Sequence, residues 1–79
     1  VELALRNPAV RVNCLLPGPV MLPPDLPLVE RQQSIAGTLV QHEGSPQDVA
    51  RAVLFLLDSP FVTGVCLPVD GGRSIYAPD

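Results

Sequence analysis

An apolar segment that stops at a proline–glycine–proline turn constrains this chain more than any other feature. Residues 10–16 are rich in Val, Cys and Leu, and the run from Cys14 to Leu16 is apolar without interruption. Such a segment is typical of a strand in a parallel sheet covered by helices on both faces. Pro17, Gly18 and Pro19 end the strand, because proline removes a hydrogen-bond donor and fixes φ. Ligands of open α/β sheets bind beyond the carboxyl ends of the strands, so this turn is a candidate wall of a binding crevice.

The clearest helix start lies at Ser45. Ser45 suits the N-cap and Pro46 the first helical position, and Asp48 places a negative charge near the positive end of the helix dipole. A broad apolar stripe follows and predicts a helix that lies against a sheet. The residues of this stripe are Val49, Val53, Leu56 and Leu57, with Ala50 and Leu54 beside them.

A second apolar strand is predicted over residues 65–69. Pro68 cannot donate to a neighbouring strand on one side, so this strand belongs at a sheet edge. Asp70, Gly71 and Gly72 then form a tight turn, and residues 77–79 are expected to fray. Two strands joined through helices form a β-α-α-β unit, and such crossovers join parallel strands. The fold class is therefore α/β.

The remaining segments are predicted from their proline content and periodicity. Residues 1–7 read as the last turns of a helix that packs on the sheet, which favours a chain that is a piece of a longer domain. Residues 19–27 hold four prolines and form a stiff loop. Its apolar side chains either wall a substrate pocket or cover the core, and both alternatives stay open. Residues 28–39 form an amphipathic helix.

Composition excludes several classes of function. The net charge of −3 gives no reason to expect nucleic acid or an anionic membrane as a partner. No apolar run has the length of a membrane span and no signal peptide is visible, so a cytoplasmic location is expected. Cys14 and Cys66 are interpreted as buried, reduced thiols rather than a disulfide or redox pair. His42 is interpreted as a solvated loop residue, and no metal site is expected.

Three blocks of sequence, in this order and at this spacing, resemble the C-terminal third of a short-chain dehydrogenase/reductase. Within that superfamily the pteridine reductase branch is most similar. The blocks are Arg11-Val12-Asn13 with Pro17-Gly18-Pro19-Val20, residues 44–50 (GSPQDVA), and residues 61–64 (FVTG) leading to residues 69–72 (VDGG).

The resemblance implies that residues 1–79 are the C-terminal part of a Rossmann-type domain, with its last two strands and the final strand at the edge. It implies hydride transfer with NADP or NAD as cofactor in the full-length enzyme, on a small-molecule substrate of pteridine or carbonyl type. Pro17, Gly18 and Val20 would contact the cofactor, Val20 through its backbone to the nicotinamide carboxamide. Residues 20–39 would form the substrate-binding segment, with Met21 and Leu22 in the pocket. The region from Thr63 to Gly72 would support contacts in a homo-oligomer.

The chain departs from the family pattern where catalysis is concerned. The glycine-rich phosphate turn and the Tyr-x-x-x-Lys pair are missing, the chain contains no lysine, and the one tyrosine, Tyr76, is near the wrong end. Gln41-His42 also stands where the family commonly has Gly-Arg. No catalytic residue is therefore assigned, and the isolated chain is expected to bind no cofactor. Two hypotheses remain: part of an NAD(P)H-dependent oxidoreductase, or a non-catalytic truncated relative that acts as an assembly or interaction module.

Overall fold

The computed structural model describes residues 1–76, and the prediction of fraying at 77–79 lies outside them. Helices and strands follow one another in the predicted order, with a short 3₁₀ helix at the end. The elements are α1 (Glu2–Arg6), β1 (Cys14–Pro17), α2 (Leu28–Ala36), α3 (Pro46–Leu57), β2 (Cys66–Val69) and the 3₁₀ helix (Arg73–Ile75).

The two strands pair in parallel, which confirms the α/β fold class predicted from the sequence. Cys14 lies opposite Cys66, and the register continues to Pro17 opposite Val69. Gly18 N–H extends the pairing by donating to the Val69 carbonyl over 3.0 Å. Both strands of this two-stranded sheet are edge strands, so the edge position expected for β2 from Pro68 stays a prediction for the larger sheet.

Strand β1 is shorter than predicted, because residues 11–13 bond to the segment before β2 instead of to β2 itself. Val12 N–H donates to Thr63 Oγ1 over 3.1 Å, and the Val12 carbonyl accepts from Gly64 N–H over 2.8 Å. Asn13 completes this contact, since its side-chain amide donates to the Val62 carbonyl and its Oδ1 accepts from Val65 N–H.

Arg11 joins the start of this region to the end of α3. Its Nη1 donates to the carbonyls of Leu56, Ser59 and Val62 over 2.9–3.0 Å, and its Nη2 donates to the Leu57 carbonyl over 3.3 Å. The last carbonyls of a helix have no partner within the helix, and a cation there also interacts favourably with the helix dipole. Arg11 therefore fixes where α3 ends and how it lies on the sheet.

Helix α3 begins where the sequence predicts it, and Ser45 and Asp48 form a capping box there. Ser45 N–H donates to Asp48 Oδ2 over 2.8 Å, the Ser45 hydroxyl donates to the same oxygen over 3.0 Å, and Pro46 is the first helical residue. These donors stabilise the carboxylate and hold the pKa of Asp48 below the ordinary value for aspartate.

This pKa shift makes the contribution of Asp48 dependent on pH. A carboxyl whose pKa is lower in the folded state stabilises the fold above its unfolded pKa, about 3.9, and loses that effect as pH falls through the folded value. We expect Asp48→Asn to reduce helical circular dichroism at neutral pH. The difference from the wild type should vanish in acid, below the folded pKa. A difference that is independent of pH would contradict this assignment.

The prediction of strands buried on both faces is wrong for this chain. Among the described residues only Thr38 is fully buried, Pro19 is the one other buried residue, and every other apolar side chain is at least partly exposed. Helix α3 packs on the sheet and half-buries Leu15 and Leu67 beneath it, but the other face stays open to solvent. The helix–sheet packing comes mainly from α3, and α1, which was expected to cover the sheet, has no buried residue.

Two further predictions about burial are wrong, because helices cover the sheet less completely than expected. Cys14 and Cys66 lie on the open face, so these free thiols are exposed and not buried as predicted. On α3 the half-buried side is narrower than the predicted stripe. Leu54 and Leu57 are 59% and 66% exposed, whereas Leu56 is half-buried toward the sheet.

Candidate functional site

A cavity of about 380 Å³ lies at the carboxyl ends of both strands. Its wall is formed by the turn after β1, the residues around the start of α3 and the turn after β2. Representative lining residues are Val20, Gly44, Val69 and Gly71. Because open α/β sheets bind ligands at this end of their strands, the cavity is the candidate functional site.

The Pro17-Gly18 turn is held against the end of β2 by a close backbone contact. A Cβ added to Gly18 would lie 2.6 Å from Asp70 Cα, a distance that real Cβ atoms do not show. The neighbouring atom belongs to the backbone and cannot move aside by changing a rotamer. Glycine is therefore required at this position, and its absence of a side chain lets the two strand ends converge at the cavity.

Val20 lies where this turn meets the residues before α3. Gly44 N–H donates to the Pro19 carbonyl over 3.0 Å, so residues 20 and 44 form a parallel bridge. A Cβ on Gly44 would lie 2.9 Å from Val20 Cγ2, which shows how closely the two segments approach. Val20 N–H donates to the Gly18 carbonyl over 2.8 Å. A ligand amide near Val20 would either replace that bond or use the Val20 carbonyl.

The predicted site residues occupy different positions relative to the cavity. Val20 lines it. Pro17 pairs with Val69 inside the sheet, and Gly18 packs against Asp70. Met21 follows Val20, is 73% exposed and has a φ of 55°, while Leu22 is half-buried. The structure thus brings Val20 to the cavity and places Met21 and Leu22 on the loop that leaves it.

A clamp formed by Arg31 and Glu43 holds this loop, and no sequence pattern indicated it. Glu43 Oε1 accepts from Leu22 N–H over 2.9 Å, and its Oε2 pairs with Arg31 Nη1 over 3.2 Å. Arg31 Nη2 donates to the Pro23 carbonyl over 2.7 Å. The two side chains are only 26% and 29% exposed, which reduces their screening by water. The partners come from different segments, so their spacing along the chain carried no signal.

Replacing Glu43 by alanine should release the loop at Leu22. The Leu22 amide loses its acceptor, so we expect its hydrogen exchange to accelerate by about tenfold, equivalent to roughly 1.4 kcal/mol for a bond to a charged group. Amide exchange followed by NMR measures this directly. Glu30→Ala, at an exposed position on α2, is the matched control and should leave the Leu22 rate unchanged.

The turn after β2 forms the opposite wall and anchors the end of α2. The Gly71 carbonyl accepts from the amides of Leu39 and Val40 over 2.8 and 3.2 Å. Gly71 and Gly72 have φ values of 63° and 88°, which confirms the tight turn predicted from Asp70-Gly71-Gly72. The helix predicted to reach Leu39 ends at Ala36, because the next residues bond to this turn instead.

Two polar side chains stabilise the walls from behind. Thr38 is 1% exposed, and its hydroxyl donates to the Ile35 carbonyl and accepts from Gln41 N–H. The carboxylate of Asp70 accepts from the amides of Ser74 and Gly72, which holds the pKa of Asp70 below its ordinary value. Neither residue was singled out as a site residue, because single polar residues in turns carry little sequence signal.

Titratable side chains line the cavity, including those of His42 and Asp48. His42 contributes to the wall and is exposed, with Nδ1 3.0 Å from the Glu43 carbonyl, in agreement with its interpretation as a solvated residue. Asp48 also faces the cavity, but its carboxylate caps α3. Neither tyrosine nor lysine is among the lining residues that the structure describes.

None of the helices within residues 1–76 is long and apolar enough to cross a lipid bilayer.

Comparison with known proteins adds independent evidence on family. Residues 2–74 match the profile of a family described as enoyl-(acyl carrier protein) reductase. The chain is 42% identical over 75 residues to carbonyl reductase family member 4 of Xenopus tropicalis, covering 94% of this chain and 30% of that protein. It is 36% identical over 76 residues to pteridine reductase 1 of Leishmania tarentolae, covering 92% and 26% respectively. The chain thus spans about 30% of the length of the first of these relatives.

Proposed function

This chain belongs to the short-chain dehydrogenase/reductase superfamily, and on that premise we propose that it is the C-terminal part of an NAD(P)H-dependent oxidoreductase. The family profile extends over both strands and all three described helices. Its relatives are named as reductases and dehydrogenases, among them a carbonyl reductase and a pteridine reductase. We propose a carbonyl or pteridine-type compound as the substrate.

The observation that carries this proposal is the position of Pro19 and Val20, which directly follow the Pro17-Gly18 turn and line the cavity at the carboxyl ends of the strands. Because Gly18 has no side chain, the turn can pack closely against Asp70 and hold these two residues at the cavity wall. Val20 follows at the cavity wall, where its main chain can hydrogen-bond a carboxamide. NADPH or NADH, when bound, supplies the hydride. The residues of this chain orient the nicotinamide and exclude water from one side of it.

The proline-rich loop is proposed to define the substrate side of the site. Met21 and Leu22 begin it, and residues 20–39 form the whole substrate segment. The Glu43–Arg31 clamp fixes where the loop leaves the cavity, so it sets how far Leu22 stands from the cofactor position. No proton transfer is assigned to this chain. We propose that the family's Tyr-x-x-x-Lys pair belongs to another part of the same enzyme.

We propose that the full-length enzyme is a homo-oligomer and is located in the cytoplasm. The edge of β2 and the residues around it, from Thr63 to Gly72, offer unpaired backbone groups for association. The two cysteines are free, as is usual in a reducing compartment.

A non-catalytic assembly module is the second candidate, and a specific observation favours it. Several large apolar side chains are exposed, including Phe61 at 102%, Leu57 at 66% and Leu54 at 59%. Apolar surface of this kind marks association sites when it is contiguous. This candidate predicts a stable oligomer of the 79-residue chain by itself.

A chimera separates the two candidates. Residues 1–79 replace the matching segment of the Xenopus tropicalis carbonyl reductase, and the parent enzyme is the control. We expect the chimera to fold and to oxidise NADPH with a carbonyl substrate. The isolated chain should show no micromolar affinity for NADPH, because no helix N-terminus in it carries a phosphate-binding glycine turn. A folded but inactive chimera, with a stable oligomer of the isolated chain, would favour the assembly module.

A further inference from the structure

The start of the proline-rich loop is bonded to the segment before α3 at two neighbouring positions. Val20 forms a parallel bridge with Gly44, and Leu22 N–H donates to Glu43 Oε1 over 2.9 Å. Met21 lies between these two contacts with a φ of 55°, in the left-handed region that residues other than glycine rarely adopt. Such a conformation persists only where the surrounding contacts hold it. The two contacts therefore determine the direction in which the loop leaves the cavity.

The other end of the loop is bonded to the same carboxylate through Arg31 on α2. Arg31 Nη1 pairs with Glu43 Oε2 over 3.2 Å, and Arg31 Nη2 donates to the Pro23 carbonyl over 2.7 Å. The Pro23 carbonyl also accepts from Leu26 N–H over 3.1 Å, which closes a turn inside the loop. Residues 22–31 therefore form a closed unit, and Glu43 is bonded to both its first and its last residue.

This arrangement is a property of the substrate segment itself and does not depend on what covers the sheet. Every donor and acceptor in it belongs to residues 22–43. The side chains of Arg31 and Glu43 are already mostly shielded from water by residues of this chain. A charge pair shielded in this way is screened less by salt than an exposed pair, so it can hold the loop in one position.

We propose that Glu43 is a positioning residue for the substrate, and that it acts through Leu22 and the loop without touching the reacting atoms. The inference rests on the proposed reductase function, in which Met21 and Leu22 begin the substrate segment. His42 and Gly44 line the cavity on either side of Glu43, whereas the Glu43 carboxylate is bonded to the loop. Loss of this carboxylate should therefore weaken substrate binding and leave hydride transfer and the cofactor site unchanged.

Steady-state kinetics of the chimera separate substrate binding from chemistry. Glu43→Ala removes a charged acceptor, so we expect KM for the carbonyl substrate to rise about tenfold. A bound substrate orders the released loop again, so the cost of ordering appears in KM and not in kcat. Both kcat and KM for NADPH should stay within about twofold, because the backbone contact between Pro19 and Gly44 remains. An unchanged KM for the carbonyl substrate, or a fall in kcat as large as the rise in KM, would overturn the inference.

Two further variants test the bonds of Glu43 separately. Glu43→Gln keeps an oxygen that accepts from Leu22 N–H but loses the charge that pairs with Arg31, so its KM should lie between those of the unaltered chimera and Glu43→Ala. The double variant Arg31→Ala with Glu43→Ala should raise KM by less than the product of the two single effects, because both residues hold one loop. Equal KM values for the glutamine and alanine variants, or independent effects in the double variant, would contradict the proposed role.

Arg51→Ala is the matched control, because it also removes an arginine–carboxylate pair, the one with Asp48 over 3.1 Å on α3. We expect both KM values to equal those of the unaltered chimera. The unaltered chimera separates this inference from the proposed function. If it folds but reduces no carbonyl substrate, the proposed function is contradicted and the inference fails with it. An active chimera whose KM for the substrate does not respond to changes at Glu43 would overturn this inference alone.

Discussion

Replacing Arg11 by alanine should lower the melting temperature of the chimera by about 4–16 °C. The Arg11 guanidinium donates to four carbonyls at and beyond the end of α3. Hydrogen bonds to a charged group and the interaction with the helix dipole together predict a loss of about 2–4 kcal/mol. No other side chain described here joins as many backbone groups of separate elements.

Thermal unfolding of the chimera measures this effect, and Arg51 provides the matched control. Arg51 is also on α3, but its side chain is 76% exposed and pairs with Asp48 three residues away. Exposed pairs of this kind contribute about 0.2–1 kcal/mol at most, so Arg51→Ala should change the melting temperature little. Arg11→Lys should be intermediate, because one ammonium cannot reach all the carbonyls that the planar guanidinium reaches. Equal effects of the two alanine variants would contradict the role assigned to Arg11.

The second large effect is expected at Gly18. A methyl group at Gly18 would meet the Asp70 backbone, so Gly18→Ala must separate the Pro17-Gly18 turn from the end of β2. Overpacking that cannot be relieved by a side-chain movement costs about 3 kcal/mol. If this turn positions the nicotinamide, a displacement of the turn by about 1 Å should also lower kcat/KM for NADPH by on the order of 100-fold.

Gly37→Ala is the control for the stability measurement on the chimera. Gly37 caps α2 with a φ of −75°, and a Cβ there would meet its nearest neighbour at an ordinary 3.5 Å. We expect stability to stay within about 1 kcal/mol. A Gly18→Ala chimera that loses stability but keeps wild-type kcat/KM would show that the turn does not position the cofactor.

Local signals in the sequence were sufficient to predict the order and type of the helices and strands. Ser45-Pro46 with Asp48 predicted the start of α3 because capping is decided within one helical turn. The turn at Gly71 and Gly72 was predictable because only glycine takes left-handed φ without strain. Pro17 and Gly18 marked the end of β1 for the same kind of local reason.

The burial of the strands and the side-chain bonds that hold the site depend on contacts between residues far apart in the sequence. Sequence patterns could not predict such contacts. The apolar strand was expected to be covered on both faces, yet only α3 packs on it, so Cys14 and Cys66 are exposed. The Glu43–Arg31 clamp joins a loop to α2 across tertiary structure and has no periodicity to reveal it. The prediction of Val20 as a cofactor contact came from family resemblance, and the structure places Val20 at the cavity with its N–H bonded to the Gly18 carbonyl.

The most direct test of the central claim is an NMR titration of the chimera with NADP⁺, after selective ¹⁵N labelling of glycine and valine. If the turn after β1 lines the nicotinamide site, the amides of Gly18 and Val20 should show the largest shifts among the labelled amides of residues 1–79. Val53 on α3, away from the cavity, should be unaffected. Saturable binding of NADP⁺ that leaves Gly18 and Val20 unshifted would contradict the account.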